Sequence, residues 1–365
     1  MHLAQKRERY KRFWQPLTKG EGAYIAIESP VDDTGVPVFN FTAPASFKEQ
    51  ILSLDYCLKR AEAQTANTYW GLDAVNNAFV SFGPGVQAAL LGAPYVFQGN
   101  TIWFDMDPPI KNWDKIPALS TNRNHVLYVA IDNHTRALCA ASKGRYAVSY
   151  TDIGGQMDVL FSLRGEDLLS DFIEYPDMVI SAEERISDEF ISYFYTLTGI
   201  IGPSGCGYTG WIPIIGDAPW YPLQCDMCVM ISPKMFEKFI LPSLDKVSKA
   251  IGRSIYHLDG PGEIQHLDML CSLKYVNAIQ WVPIPNAKLP GYGGYSQDFA
   301  DEMSIEVYRR VLAAGKKVVL VWVKPDQAKT IFNAVGCDGV YMNIICQTRK
   351  EADELESFAQ KNWIR

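Results

Sequence analysis

From residue 146 onward the sequence alternates short apolar runs with amphipathic stretches. The runs 146–151, 276–281, 317–322 and 339–343 are rich in β-branched and aromatic residues, and a helix-like segment follows each one. The strand-then-helix unit recurs about six times before the C-terminus. Successive units of this kind bury their strands in a parallel sheet with right-handed crossovers. The chain has 365 residues and no internal repeat or low-complexity linker. The pattern therefore predicts one closed (β/α)8 barrel as a single domain over residues 1–365, with an N-terminal helical extension inside residues 1–20. A doubly wound open sheet is the alternative.

The remaining elements fit around that repeat. Residues 1–17 mix Lys and Arg with Tyr10, Phe13 and Trp14, as an amphipathic helix docked on the domain would. A short strand at 23–27 ends in Glu28, and a helix follows over 47–68. The 82–91 stretch opens on two glycines, but their spacing fits neither a dinucleotide fingerprint nor a phosphate loop. A ribbon is expected at 101–104 and a helix at 123–143. Helical segments are expected at 156–163, 166–172 and 181–199, the last opened by a Ser181/Glu184 capping box. A weak strand spans 208–214. Ser232 and Pro233 start a helix that reaches about 251. Thr348 and Glu351 cap the final helix, to about 361.

Chemistry is expected where the strands end, because barrels and open α/β sheets place their sites at the carboxyl ends. The anchor is 254–262, in which His257 and Asp259 lie two apart in extended chain and so point the same way before a Gly-Pro-Gly turn. The other strand ends supply Glu28, Asp152, Gln280, Trp281, Asn343 and Cys346. A histidine, a cysteine and carboxylates are zinc-type ligands, and catalytic zinc takes about three of them. The expected metal set is His257, Asp259 and Cys346, with Asp152, His257 and Asp259 as the catalytic groups. Glu28, Gln280, Trp281, Tyr292 and Asn343 are expected to meet the substrate, Tyr292 from a glycine- and tyrosine-rich loop at 289–297 long enough to act as a lid. Cys225 and Cys228 have the spacing of a metal knuckle or redox pair, and also of two thiols near each other by accident. Asp226 between them is a second candidate for the pocket. His266 reads as helix surface or as support for the site, and His125 and His134 as ordinary helix or turn residues.

A formal charge of −7 argues against nucleic acid or an anionic membrane as partner. No apolar run approaches the roughly 20 residues of a membrane helix, and the N-terminus lacks a secretory core. Eight cysteines without a small-scaffold spacing point to reduced thiols in cytoplasm.

The strand-His257-x-Asp259-Gly260 motif, the helix at 232–242 and the last strand with Cys346 resemble the uroporphyrinogen decarboxylase superfamily. They are most similar to its corrinoid-dependent, cobalamin-linked methyltransferase branch, well from about residue 124 onward and loosely before it. The resemblance implies a (β/α)8 barrel that moves a methyl group between a small methylated substrate and a corrinoid carried by a separate protein, with Zn2+ assisting. In that branch zinc is held by a His-x-Cys pair and a later cysteine. Here His257 matches the histidine, Cys346 the later cysteine, and Asp259 stands where the first cysteine would be. The arginine-rich N-terminal motif of the porphyrin decarboxylases is absent. A metal-free lyase using Asp152 or Asp259 as acid, or a barrel that only binds a ligand, are the other readings. A homodimer is one option for the assembly.

Overall fold

The computed structural model describes residues 3–99, 101–104, 107–283, 285–287 and 296–364. Its strands are β1 (Tyr24–Pro30), β2 (Thr68–Leu72), β3 (Asn77–Ala78), β4 (Val96–Gln98), β5 (Thr101–Trp103), β6 (Ala147–Val148), β7 (Tyr221–Leu223), β8 (Ser254–Asp259), β9 (Val276–Val282), β10 (Pro285–Ala287), β11 (Ser296–Gln297), β12 (Lys317–Val323) and β13 (Val340–Ile345). The central sheet runs β2-β1-β13-β12-β9-β8-β7. From β1 to β7 every pairing in it is parallel, and β2 lies antiparallel on the β1 edge. Helices between successive strands cover the sheet, including Leu241–Ile251, Glu302–Ala313 and Pro325–Val335. The strand–helix alternation legible in the sequence is therefore the architecture. The closed ring is not seen: among the described residues the ladder stops at β2 and β7. β3 pairs with β6 as a separate parallel ladder, which is extended by a single bridge between Ser149 and Thr209.

Several local expectations change. Residues 208–214 make only isolated bridges, Ser149 to Thr209 and Tyr208 to Gly216. The strand of that region is instead β7, which carries Pro222 and escapes notice for that reason. A proline cannot donate to a ladder, and β7 sits at a sheet edge where that is tolerated. The 181–199 helix begins earlier, at Pro176, and runs to Ile201. Proline at the first helical position sets that start, so Ser181 and Glu184 lie inside the helix and cap nothing. The Ser232 side chain does accept from Met235 N–H, and Pro233 follows it. That helix then passes through a π-helical turn, Phe236–Ile240, before Leu241–Ile251. Thr348 caps the last helix, Arg349–Asn362. Strands β4 and β5 form the expected ribbon.

The N-terminal helix, Leu3–Phe13, does more than dock. Tyr10, Phe13 and Trp14 are buried with Tyr24, Ala278, Val319 and Tyr341 in a core of their own at the amino ends of the strands. Trp14 Nε1 donates to Ile215 O at 3.1 Å and Tyr10 Oη to Asp73 O at 3.0 Å. Lys317 Nζ donates to Gln15 O at 2.6 Å. Asp73 accepts from Arg9 Nε at 2.5 Å and from Ile25 N–H at 2.9 Å. The helix thus closes the floor of the sheet and leaves the carboxyl ends as the accessible side. No helix among the described residues is long and apolar enough to cross a membrane.

Candidate functional site

Strands β8 and β9 run in register, with His257 opposite Gln280 and Asp259 opposite Val282. Side chains alternate along a strand, so His257 and Asp259 share a face. Gln280 takes the same face one strand over. Gln280 Oε1 lies 2.8 Å from His257 Nδ1. A carbonyl oxygen only accepts, so Nδ1 is the donor in this pair and Nε2 is the ring nitrogen left for another partner. Holding one ring nitrogen so that the other faces a ligand is how metal-binding histidines are oriented. Trp211 meets the imidazole edge-on, ring centroids 6.3 Å apart at 85°.

A third group comes from the turn after β7. Asp226 offers a carboxylate oxygen that, with one atom each of His257 and Asp259, forms a set whose members all lie within 4.8 Å of one another. Among the described residues this is the grouping of His, Cys, Asp and Glu able to surround one cation. Asp226 is aimed by Asp158, whose two carboxylate oxygens accept from Asp226 N–H at 3.1 Å and Met227 N–H at 2.8 Å. Asp158 stands on the helix Gln156–Arg164, which begins directly after Gly154 and Gly155. A Cβ on Gly155 would lie 2.3 Å from both Asp158 Oδ2 and Gln224 O, so only glycine lets helix and turn approach this closely. Gly155→Ala is expected to lower stability by about 1–3 kcal/mol through overpacking, read as a lower denaturation midpoint.

Asp152, at the end of the β6 segment, lies close enough to Asp226 and His257 to feel both. Burial above all, then the Asp226 carboxylate, pushes its pKa up to about 7, against the opposing pull of His257. Its Oδ1 is buried without a hydrogen-bond partner. Burial likewise raises Asp158, and the protein packed around Asp226 raises it as well, although part of its side chain reaches solvent. Carboxylates crowded around one imidazole form a set that a cation would relieve. With a folded pKa near 7 and an unfolded one near 3.9, folded Asp152 holds its proton over a range where the unfolded chain has lost it. Without metal, stability should therefore fall as pH rises from about 4 to about 7 and level off above. Thermal denaturation in chelator across that range checks it, and a divalent cation should flatten the decline.

The expected metal set is changed by this geometry. Cys346 is not part of the Asp226, His257, Asp259 grouping. It follows β13, three strand positions from β8 in the sheet, roughly 14 Å along it at about 4.8 Å per strand. There its N–H donates to Glu28 O at 2.8 Å, and burial pushes its thiol up to about 12. It belongs with a second cluster, in which Asn343 Nδ2 donates to Glu28 Oε1 at 2.7 Å. Burial raises Glu28 to about 7, with the Asn343 bond opposing. Asn343 Oδ1 also accepts from Trp322 N–H at 3.3 Å, which holds Trp322 at a positive φ of 67°, rare for so bulky a residue.

Trp281 does not face the site. The pleat turns it to the opposite side from Gln280, where its indole donates to Ser304 Oγ at 2.8 Å in the helix layer. Tyr292, with most of the 289–297 loop, lies outside the described residues. His266 is fully buried, stacked on Phe236 at 4.2 Å with Nε2 3.1 Å from Cys228 O, and is not helix surface. His125 caps its helix and His134 packs beside Phe82. Asp158 was not signalled in the sequence: an acid in the first turn of a helix looks like any other until the 224–227 turn folds onto it.

A cavity of about 890 Å3 opens beside the grouping and reaches it at Asp226. Its walls include Trp103, Phe104, Phe161, Met227 and Met230, with Arg164 among its polar residues.

No protein-family profile matches this sequence, and no curated protein does. Among solved structures, a methyltransferase from Methanosarcina mazei superposes with a TM-score of 0.55 over 90% of this chain and 93% of its own, at 12% sequence identity. At that identity the likeness is one of fold: this chain shares the backbone arrangement of that methyltransferase almost from end to end.

Proposed function

We propose that this chain is a metal-assisted methyltransferase of barrel architecture, acting on a small methylated substrate, with a corrinoid held by a separate protein as its partner. The observation that carries the reading is the convergence of Asp226, His257 and Asp259 within 4.8 Å of one another. The whole-chain similarity to a methyltransferase fold supports it. One imidazole and two carboxylates make a three-ligand set, as in catalytic zinc sites that keep a fourth position open. Zn2+ bound there would supply Lewis acidity to the heteroatom that carries the methyl group.

The residues of the chain do the rest. Gln280 fixes the imidazole through Nδ1 and leaves Nε2 as the nitrogen available to a ligand. Asp158 fixes the turn that presents Asp226. Asp152, poised near pH 7, is placed to hold or release the proton that the demethylated heteroatom must exchange. The apolar residues of the neighbouring cavity, Phe104, Phe161 and Met227 among them, offer contact surface to a small methylated substrate.

The experiment is metal analysis of the purified protein together with methyl transfer to free cob(I)alamin, followed by its absorbance, over a panel of methylated alcohols, amines and thiols. Bound zinc and methylcobalamin formation are the expected results. A protein that binds no divalent cation, even when supplied with one, would end the metal reading. The perturbed Asp152 beside His257 favours one second reading, an acid–base lyase without metal, and turnover unaffected by chelators would support it.

Asp158 provides a further prediction. Asp158→Asn keeps the shape of the side chain, but its amide group cannot accept one of the two N–H bonds. Loss of such a supporting partner lowers metal affinity roughly 10–100-fold, measured by titration calorimetry against the parent protein.

A further inference from the structure

The pair Cys225 and Cys228 brackets the ligand-bearing residue Asp226. Both cysteines are buried, at 1% and 0% exposure, and both are free thiols. Cys228 N–H donates to Cys225 O at 3.2 Å, closing an i to i+3 turn that opens the 3-10 helix Asp226–Met230. A turn of this kind holds its end Cα atoms within about 7 Å, inside the range a disulfide spans after a small adjustment. The neighbours of the pair on the protein side are Tyr256, Glu263 and His266. Glu263 Oε1 and His266 Nδ1 are both buried without a hydrogen-bond partner. On the other side, Gln224, Asp226, Met227 and Met230 line the large cavity, and Val229 and Met230 are half exposed. The thiols therefore lie one residue layer from solvent, under a five-residue helix held by Asp158 at its first N–H groups and by His266 at Cys228 O.

We propose that Cys225 and Cys228 form a reversible disulfide that switches metal binding at Asp226, His257 and Asp259. The inference rests on the metal reading of that grouping. The co-reactant is a low-molecular-weight disulfide, RSSR. One cysteine thiolate attacks a sulfur of RSSR, forming a mixed disulfide and expelling RS−. The second cysteine attacks the protein sulfur of that mixed disulfide and expels the other RS−. The two thiol protons pass to the two RS− groups, so two protein thiols are oxidised and one RSSR is reduced to two RSH. Joining the sulfurs draws the two Cβ atoms to about 3.8 Å and rotates the peptide units between them. Those units carry the Asp226 and Met227 N–H groups that Asp158 holds, so the Asp226 carboxylate leaves its place. Short strained loops give the more oxidising, labile disulfides that serve as switches.

The test treats native full-length protein with oxidised glutathione, maps disulfides by peptide mass analysis, and titrates Co2+ into reduced and oxidised samples. Expected are a 225–228 bridge, Co2+ affinity at least roughly tenfold weaker, and recovery with dithiothreitol. Cys225→Ala, its folding confirmed by circular dichroism, should bind Co2+ as the reduced protein does and be indifferent to glutathione. A bridge that leaves affinity unchanged, or one that forms only in denaturant, would overturn the inference while leaving the metal reading intact. Reduced protein that binds no Co2+ would overturn both.

Discussion

His257→Ala should lower divalent-metal affinity by roughly a thousandfold or more and remove methyl transfer with it. Loss of a residue that merely supports a ligand costs about 10–100-fold, and His257 is the one nitrogen donor among three ligands. The alanine protein keeps two carboxylates, which suit harder cations such as Mg2+ or Mn2+ better than zinc. The variant should therefore lose zinc selectivity as well as affinity. Gln280→Leu separates orientation from ligation. It keeps the imidazole but removes the bond to Nδ1, so an intermediate loss is expected. Equal affinity in His257→Ala and parent protein, measured by zinc dialysis, would remove His257 from the site.

Asp73→Ala should destabilise the fold by about 3–5 kcal/mol, the usual range for breaking a buried pair by removing one partner. Asp73 is fully buried and holds Arg9 Nε and Ile25 N–H at once. Alanine leaves the half-buried guanidinium without its carboxylate, bonded to Ala23 O and lying over Tyr24, and an unpaired backbone donor inside β1, where a lost acceptor carries its full desolvation cost. The measurement is the midpoint of chemical denaturation. The proposed metal site, at the opposite end of the strands, should bind normally in whatever fraction stays folded. A change below about 1 kcal/mol, typical of an exposed ion pair, would show that the N-terminal helix does not hold the floor.

What the sequence made legible follows from range. Strands β8, β9, β12 and β13 were readable because strands buried on both faces read as near-continuous apolar runs. His257, Gln280 and Asp259 follow from strand periodicity, a local property. Asp226 was legible only as a second pocket candidate from its place between Cys225 and Cys228; its meeting with His257, and the role of Asp158, depend on two distant segments touching through Gly155, and no local pattern encodes that. Cys346 misled for the same reason: a strand's end tells that a residue is on the rim, but not which part of the rim it occupies. Trp281 was misplaced by one step of the pleat, which is the difference between facing the site and facing the helices.

The floor helix has a bearing on how the chain is made. Its residues are synthesised long before their partners: Trp14 waits for Ile215, Gln15 for Lys317, and Ala23 N–H for the carbonyl of Trp363. Contacts that span so much of the chain are slow to form. Tyr24 and Asp73 can cover part of Tyr10 and Phe13 early, but the cluster is complete only when β13, with Tyr341, has emerged, so these aromatics stay partly open through most of synthesis.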